Sequence, residues 1–84
     1  MNKEELIEQL KNIVKPYTDQ FEAHKNLTEK TDFIKDLQIN SANLVDIVLD
    51  IESAFDIIID NAEMERMLDV KTAMEIIQTK LAAK

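Results

Sequence analysis

Apolar residues recur at helical spacing in three stretches of the chain. Leu6, Ile7, Leu10, Ile13, Val14 and Tyr17 fall on one side of a helix, so the first segment is predicted to be amphipathic and α-helical. Pro16 lacks a backbone N–H and crowds the turn before it, which should end or kink this helix near Lys15. A second helix is predicted from about Ser41 to Ala54. Its Leu44, Ile47, Val48, Ile51 and Ala54, with Phe55, converge on one face, opposite Asp46, Asp50 and Ser53. Leu49 falls toward the acidic side, where core packing does not explain it. A last helix is marked by Val70, Ala73, Met74, Ile77 and Leu81, with Asp69 as its N-cap.

The connections carry their own signals. Residues 18–40 show no sustained period, yet Phe21, Leu27, Phe33, Ile34 and Leu37 are spaced through them as apolar anchors. A loop this long inside a small domain is either functional or pinned, and the anchors favour pinning to the core. Thr31-Asp32 could cap one short turn through Phe33 to Asp36. Phe55 to Asp60 has strand propensity but no partner strand, so an extended, buried connection is expected. Asn61 to Met67 should form about two helical turns, capped by Asn61, with Met64, Met67 and Leu68 facing inward. With no Gly and a single Pro, tight β-turns have little support. The pattern predicts an all-α domain spanning 1–84, with three main helices, a short one before the last, and a long first loop.

Charge sharpens this picture. From Asp36 to Glu65 there is no Lys, Arg or His, and the window holds eight acids: Asp36, Asp46, Asp50, Glu52, Asp56, Asp60, Glu63 and Glu65. The flanks carry −1 and +2, so the net charge of −7 belongs to the middle of the chain. Nucleic-acid binding needs cations that displace counterions from phosphates, and anionic membranes disfavour this surface in the same way. Partners with basic patches are expected, and mutual repulsion favours a monomer. Neither a secretory leader nor a span of roughly 20 apolar residues is visible, which fits a cytoplasmic protein without membrane insertion.

Catalytic and metal chemistry find few residues to work with. There is no Cys, and His24 is the only His, so a transition-metal site lacks ligands. The stretch from Asp36 fails as a calcium loop, with Ser41 in place of the turn Gly and Ile47 in place of the bidentate Glu. Asp46 and Asp50 read as a solvated face, and nothing orients His24 toward a serine. No catalytic residue is assigned, and the chain is not expected to be an enzyme. Ser41 has two readings. It can be the N-cap of the helix that follows, or Asn40 can take that role and leave Ser41 exposed in the first turn. A phosphodiester on its Oγ would then meet free backbone N–H groups and the positive end of the helix dipole.

The run Asp36-Leu37-Gln38-Ile39-Asn40-Ser41-Ala42, followed by Glu52-Ser53-Ala54-Phe55-Asp56-Ile57-Ile58-Ile59-Asp60, resembles the attachment region of acyl carrier proteins. Their usual pattern is Asp-Leu-Gly-x-Asp-Ser-Leu, then an acidic helix ending in Glu-x-x-Phe-(Asp/Gly)-Ile-x-Ile. The likeness covers nearly the whole chain in element order. It implies a four-helix bundle and a 4′-phosphopantetheine arm, drawn from coenzyme A, on Ser41. It further implies a docking face of Asp46, Leu49, Asp50, Glu52 and Asp56 for a phosphopantetheinyl transferase and acyl-processing enzymes with basic patches. Val48, Ile51, Phe55, Ile59, Met64 and Met67 are the implied lining for an acyl chain, each also serving as ordinary core. The implied process is fatty-acid or polyketide-type biosynthesis.

The sequence departs from that pattern at the attachment site. Asn40 replaces the Asp before the serine, Ala42 the Leu after it, and Gln38 the Gly, while Asp60 stands where Pro is common. These changes bear on recognition by a generic transferase and leave a specialised pathway open. The alternative function is an unmodified acidic helical module in which Ser41 is only a cap.

Overall fold

The computed structural model describes residues 2–84. Helix α1 spans Lys3–Val14 and passes into a 3-10 turn over Lys15–Tyr17. A one-turn helix α2, Phe21–Lys25, interrupts the long loop. Helices α3 (Ser41–Phe55), α4 (Asn61–Arg66) and α5 (Val70–Ala82) follow. The expected all-α fold is observed, with α2 as the one helix that apolar spacing did not announce.

Local chemistry explains where each helix begins. Asn2 Oδ1 accepts the Glu5 N–H at 2.8 Å while Asn2 Nδ2 donates to the Glu5 carboxylate at 3.3 Å, closing the first turn of α1. Pro16 tightens the end of that helix into the 3-10 turn, as its missing N–H requires. Asp69 Oδ1 accepts the Thr72 N–H at 2.8 Å and starts α5. The cap of α4 is Asp60, not Asn61. Asp60 and Glu63 each take the other's backbone N–H, a reciprocal capping box that Asn61 cannot form without a Glu or Gln three residues later.

Helix α1 packs against α3 and α5. Leu6, Leu10, Val14, Ile47, Ile51, Val70 and Ile77 are buried at this junction. Truncating such a side chain removes contacts and leaves a cavity, costing about 2–5 kcal/mol. Ala54 was expected on this face but is exposed. It lies about 80° from the centre of the apolar stripe at the 3.6-residue period, too far round to reach the core with one methyl.

The long loop is pinned, mostly through backbone. Val70 N–H donates to Thr31 O at 2.9 Å and Phe33 N–H to Leu68 O at 3.0 Å, around an antiparallel bridge between Asp32 and Asp69. Lys71 N–H extends the contact to Glu29 O at 3.0 Å. Leu27, Phe33, Leu37 and Ile39 drop into the core from this frame. Asp32 Oδ1 accepts from Ile34 and Lys35, so the expected capped turn after Thr31 is present.

Two expected anchors, Phe21 and Ile34, and one residue expected to face inward, Leu68, behave otherwise. Phe21 is 85% exposed, because α2 turns Ala23 toward the core and sets the His24 ring on Lys11 O at 2.7 Å. Ile34 sits on the outer side of the Asp32 turn and is also exposed. Leu68 points outward because the chain leaves helical geometry after Arg66, burying Met67 and turning the next side chain out.

Beyond α3, Ile57 and Ile59 are buried and Ile58 is exposed, the alternation of an extended segment. This matches the predicted connection. Among the described residues no helix is long and apolar enough to cross a membrane.

Gln38 and Asp56 are non-Gly residues with positive φ, at 52° and 54°. Asp56 ends α3 in the left-handed conformation usual after a helix C-terminus. Gln38 holds that conformation just before the α3 N-terminus, at a cost that glycine would avoid. Gln38→Gly should therefore raise stability by about 0.5–1 kcal/mol, net of the added backbone entropy of glycine. Urea denaturation will show this as a higher midpoint with an unchanged slope.

Candidate functional site

The N-terminus of α3 is set by a buried–exposed alternation. Leu37 and Ile39 are buried, Gln38 turns the chain, and Asn40 emerges with extended dihedrals as the cap. Thr18 Oγ1 donates to Leu37 O at 2.6 Å and Gln20 Nε2 to Gln38 Oε1 at 3.3 Å, tying the start of the long loop to the approach segment. Asn40 Oδ1 accepts the Ala42 N–H at 2.8 Å. Of the two readings of this helix start, the structure selects Asn40 as the cap. Ser41 is exposed in the first turn, and neither its hydroxyl nor its N–H has a hydrogen-bond partner among the described residues. No acid occupies that first turn.

The five acidic-face residues divide by what holds them. Asp46, Leu49 and Asp50 are exposed on one side of α3, with Leu49 at 55%. Glu52 lies about 160° round the helix from Asp50 at the 3.6-residue period. Its Oε2 accepts the Ile59 N–H at 2.8 Å, so this carboxylate fastens the extended connection onto α3. Asp56 is exposed at the C-cap, where Lys84 reaches both its carboxylate at 3.3 Å and Phe55 O at 3.1 Å. An exposed pair of this kind contributes little to stability.

Asp50 has an intramolecular partner that residue spacing did not suggest. The half-buried Tyr17 donates its hydroxyl to Asp50 Oδ2 at 2.7 Å. This hydrogen bond is the main cause that raises the Tyr17 pKa, with burial and the negative charges of Asp50 and Asp46 adding to it. Elsewhere the Glu63 carboxylate accepts from Lys80 at 2.8 Å and holds that ammonium above its usual pKa. The Lys3 hydrogen bond lowers that of Glu29.

Of the six proposed acyl-contact residues, Val48, Ile51, Phe55, Ile59 and Met67 are buried and Met64 is half-buried. They pack as part of one contiguous core with α1 and α5. None of them lines the surface cleft of about 350 Å³ formed by Asp56, Ile57, Ile58, Lys80, Ala83 and Lys84. Two exposed apolar residues were not picked out from sequence, Val45 and Ile58. Val45 stands one turn after Ser41 and one turn before Leu49, a spacing that could have revealed it. No group of three or more His, Asp or Glu is placed to hold a metal among the described residues.

Relatives match this chain over nearly its whole length. The chain is 30% identical over 84 residues to the acyl carrier protein of Coprothermobacter proteolyticus, covering all of both chains. It is 32% identical over 80 residues to that of Thermotoga maritima, covering 95% of this chain and 96% of the relative. The Lactobacillus acidophilus protein of the same name is also 32% identical over 80 residues, with 94% and 96% covered. The chain belongs to the acyl carrier protein family. No family model matches it.

Within an acyl carrier protein the unusual residues acquire a structural meaning. Gln38 occupies the position of the motif Gly and has the positive φ that a glycine accepts without strain. Asn40, in place of the motif Asp, still caps the helix but brings no negative charge next to Ser41.

Two measurements test this layout. Glu52→Ala should cost about 1–2 kcal/mol in chemical denaturation, because it orphans the part-buried Ile59 N–H. Asp46→Ala, on the solvated face, should stay within about 0.5 kcal/mol. The raised Tyr17 pKa means that the fold binds the phenol proton more tightly than the unfolded chain does. That contribution is fully present below the ordinary phenol pKa and is lost as pH rises through the folded one. Alkaline denaturation should therefore be shallower in Tyr17→Phe across the window just above the ordinary phenol range.

Proposed function

We propose that this carrier holds acyl groups for fatty-acid or polyketide-type biosynthesis through a 4′-phosphopantetheine arm on Ser41. The observation that carries the assignment is the exposed Ser41 hydroxyl, which no neighbour engages because Asn40 takes the cap. In loading, the Ser41 oxygen forms an O–P bond to the phosphopantetheine phosphorus of coenzyme A as the pyrophosphate P–O bond breaks, adenosine 3′,5′-bisphosphate leaves, and the hydroxyl proton passes to a base of the transferase. When bound, the arm supplies the thiol that this cysteine-free chain lacks and holds an acyl group on it as a thioester.

The chain's own residues support the attachment. The unpartnered Ser41 N–H and the dipole of the 15-residue α3 favour a phosphodiester at the helix start. The absence of an acid from the first turn spares that anion like-charge repulsion. Asp46 and Asp50, with Leu49 between them, form the docking face for a transferase and for acyl-processing enzymes that present Lys and Arg. Glu52 and Asp56 contribute charge to the same field while also holding the end of α3. Such surface pairing gives fast, salt-sensitive association. Val48, Ile51, Phe55, Ile59, Met64 and Met67 would have to part to admit an acyl chain, since they serve as core when it is absent.

Intact-mass measurement after incubation with coenzyme A and a phosphopantetheinyl transferase tests the attachment. One phosphopantetheine should be gained, and none by Ser41→Ala. Failure of the unaltered chain with several transferases, including that of its own host, would leave an unmodified acidic interaction module as the better reading. Reversing both Asp46 and Asp50 to Lys should lower loading efficiency at least tenfold at low salt with helical content retained. Unchanged loading would remove the docking assignment.

A further inference from the structure

The Tyr17 hydroxyl joins two regions 33 residues apart in sequence. Its ring follows α1 in the 3-10 turn and packs against the core, so its position is set by the fold. From there it donates 2.7 Å to one oxygen of Asp50, an exposed carboxylate on the outer side of α3. The ion pairs at Glu29, Glu63 and Asp56 each neutralise an acid with a lysine. The Tyr17 contact leaves the Asp50 charge intact.

We propose that Tyr17 is a positioning residue that presets Asp50 for partner enzymes. The inference rests on the docking role of α3 stated above. A free aspartate on a helix surface samples several rotamers, and a partner's cation must select one of them on binding. The phenol makes that selection in advance, while Oδ1 remains available to an ammonium or guanidinium. A neutral donor does not alter the long-range field, so steering by the acidic face is preserved. The phenol therefore acts on the strength of the docked complex and not on the approach to it.

Kinetics of loading by a phosphopantetheinyl transferase with coenzyme A test this directly. Tyr17→Phe keeps the ring in the core and removes only the donor. It should raise KM for the carrier about threefold to tenfold, the cost of ordering one polar side chain at an interface, with kcat unchanged. In an Asp50→Ala background the same substitution should have no further effect, because the two residues act as one unit. Tyr17 is the only Tyr and there is no Trp, so ultraviolet titration follows its phenol without overlap. The titration midpoint should fall in Asp50→Ala.

If Asp50→Ala raises KM and Tyr17→Phe does not, docking through Asp50 stands and positioning is overturned. A Tyr17→Phe variant with a lower KM would mean that the phenol competes with the partner, which also overturns it. Additive effects in the double variant, or an unmoved midpoint in Asp50→Ala, have the same consequence. If Asp50→Ala leaves KM unchanged, the docking role of Asp50 falls first and the positioning role falls with it.

Discussion

The fold depends most on the backbone contact between the long loop and the junction of α4 with α5. Residues 26–40 contain no helix of their own, yet they must deliver Phe33, Leu37 and Ile39 to the core and Asn40 to the start of α3. Hydrogen bonds from Phe33 to Leu68 and from Val70 to Thr31 fix the middle of this segment. Burial of Phe33 then excludes water from those bonds, and the bonds hold Phe33 in register. The Thr18 bond to Leu37 O secures the segment again just ahead of Gln38. The location of Ser41 is thus an outcome of contacts made at the opposite end of α5 from Lys84.

Helix α3 is where these constraints meet. Its inner face gives Leu44, Ile47, Val48, Ile51 and Phe55 to the core. Its outer face keeps charges that nothing on the helix itself neutralises. The two faces are joined by residues at the edges, where Tyr17 reaches Asp50 and Glu52 reaches Ile59 N–H. Acids that look equivalent along the sequence therefore differ in freedom. Asp46 is unrestrained, Asp50 is oriented, and Glu52 is part of the framework.

Helix positions were readable because α1, α3 and α5 repeat apolar residues at 3.6-residue spacing and begin at side chains that accept N–H groups. Asp69 and the turn at Asp32 were visible for the same reason. The loop was harder, since its anchors belong to no period. Leu27, Phe33 and Leu37 are buried as their spacing implied, but Phe21 is not, because α2 exists and turns it outward. The serine could be picked out as a candidate, but its exposure depended on which of Asn40 and Ser41 became the cap. Both side chains can cap, so only the three-dimensional path decided between them. The Tyr17–Asp50 and Glu52–Ile59 contacts had no sequence signal, since the first joins residues 33 apart, the second crosses the left-handed end of α3, and both depend on how other elements pack.

The capping arrangement at α3 has a thermodynamic consequence. Because Asn40 satisfies the helix end, the Ser41 oxygen contributes no bond on which folding relies. An anion attached there would break no native contact and would meet the positive end of the helix dipole, so an arm of the proposed kind would add about 0.3–1 kcal/mol to native stability. Its loss would return the chain to the stability of the bare fold without unfolding it.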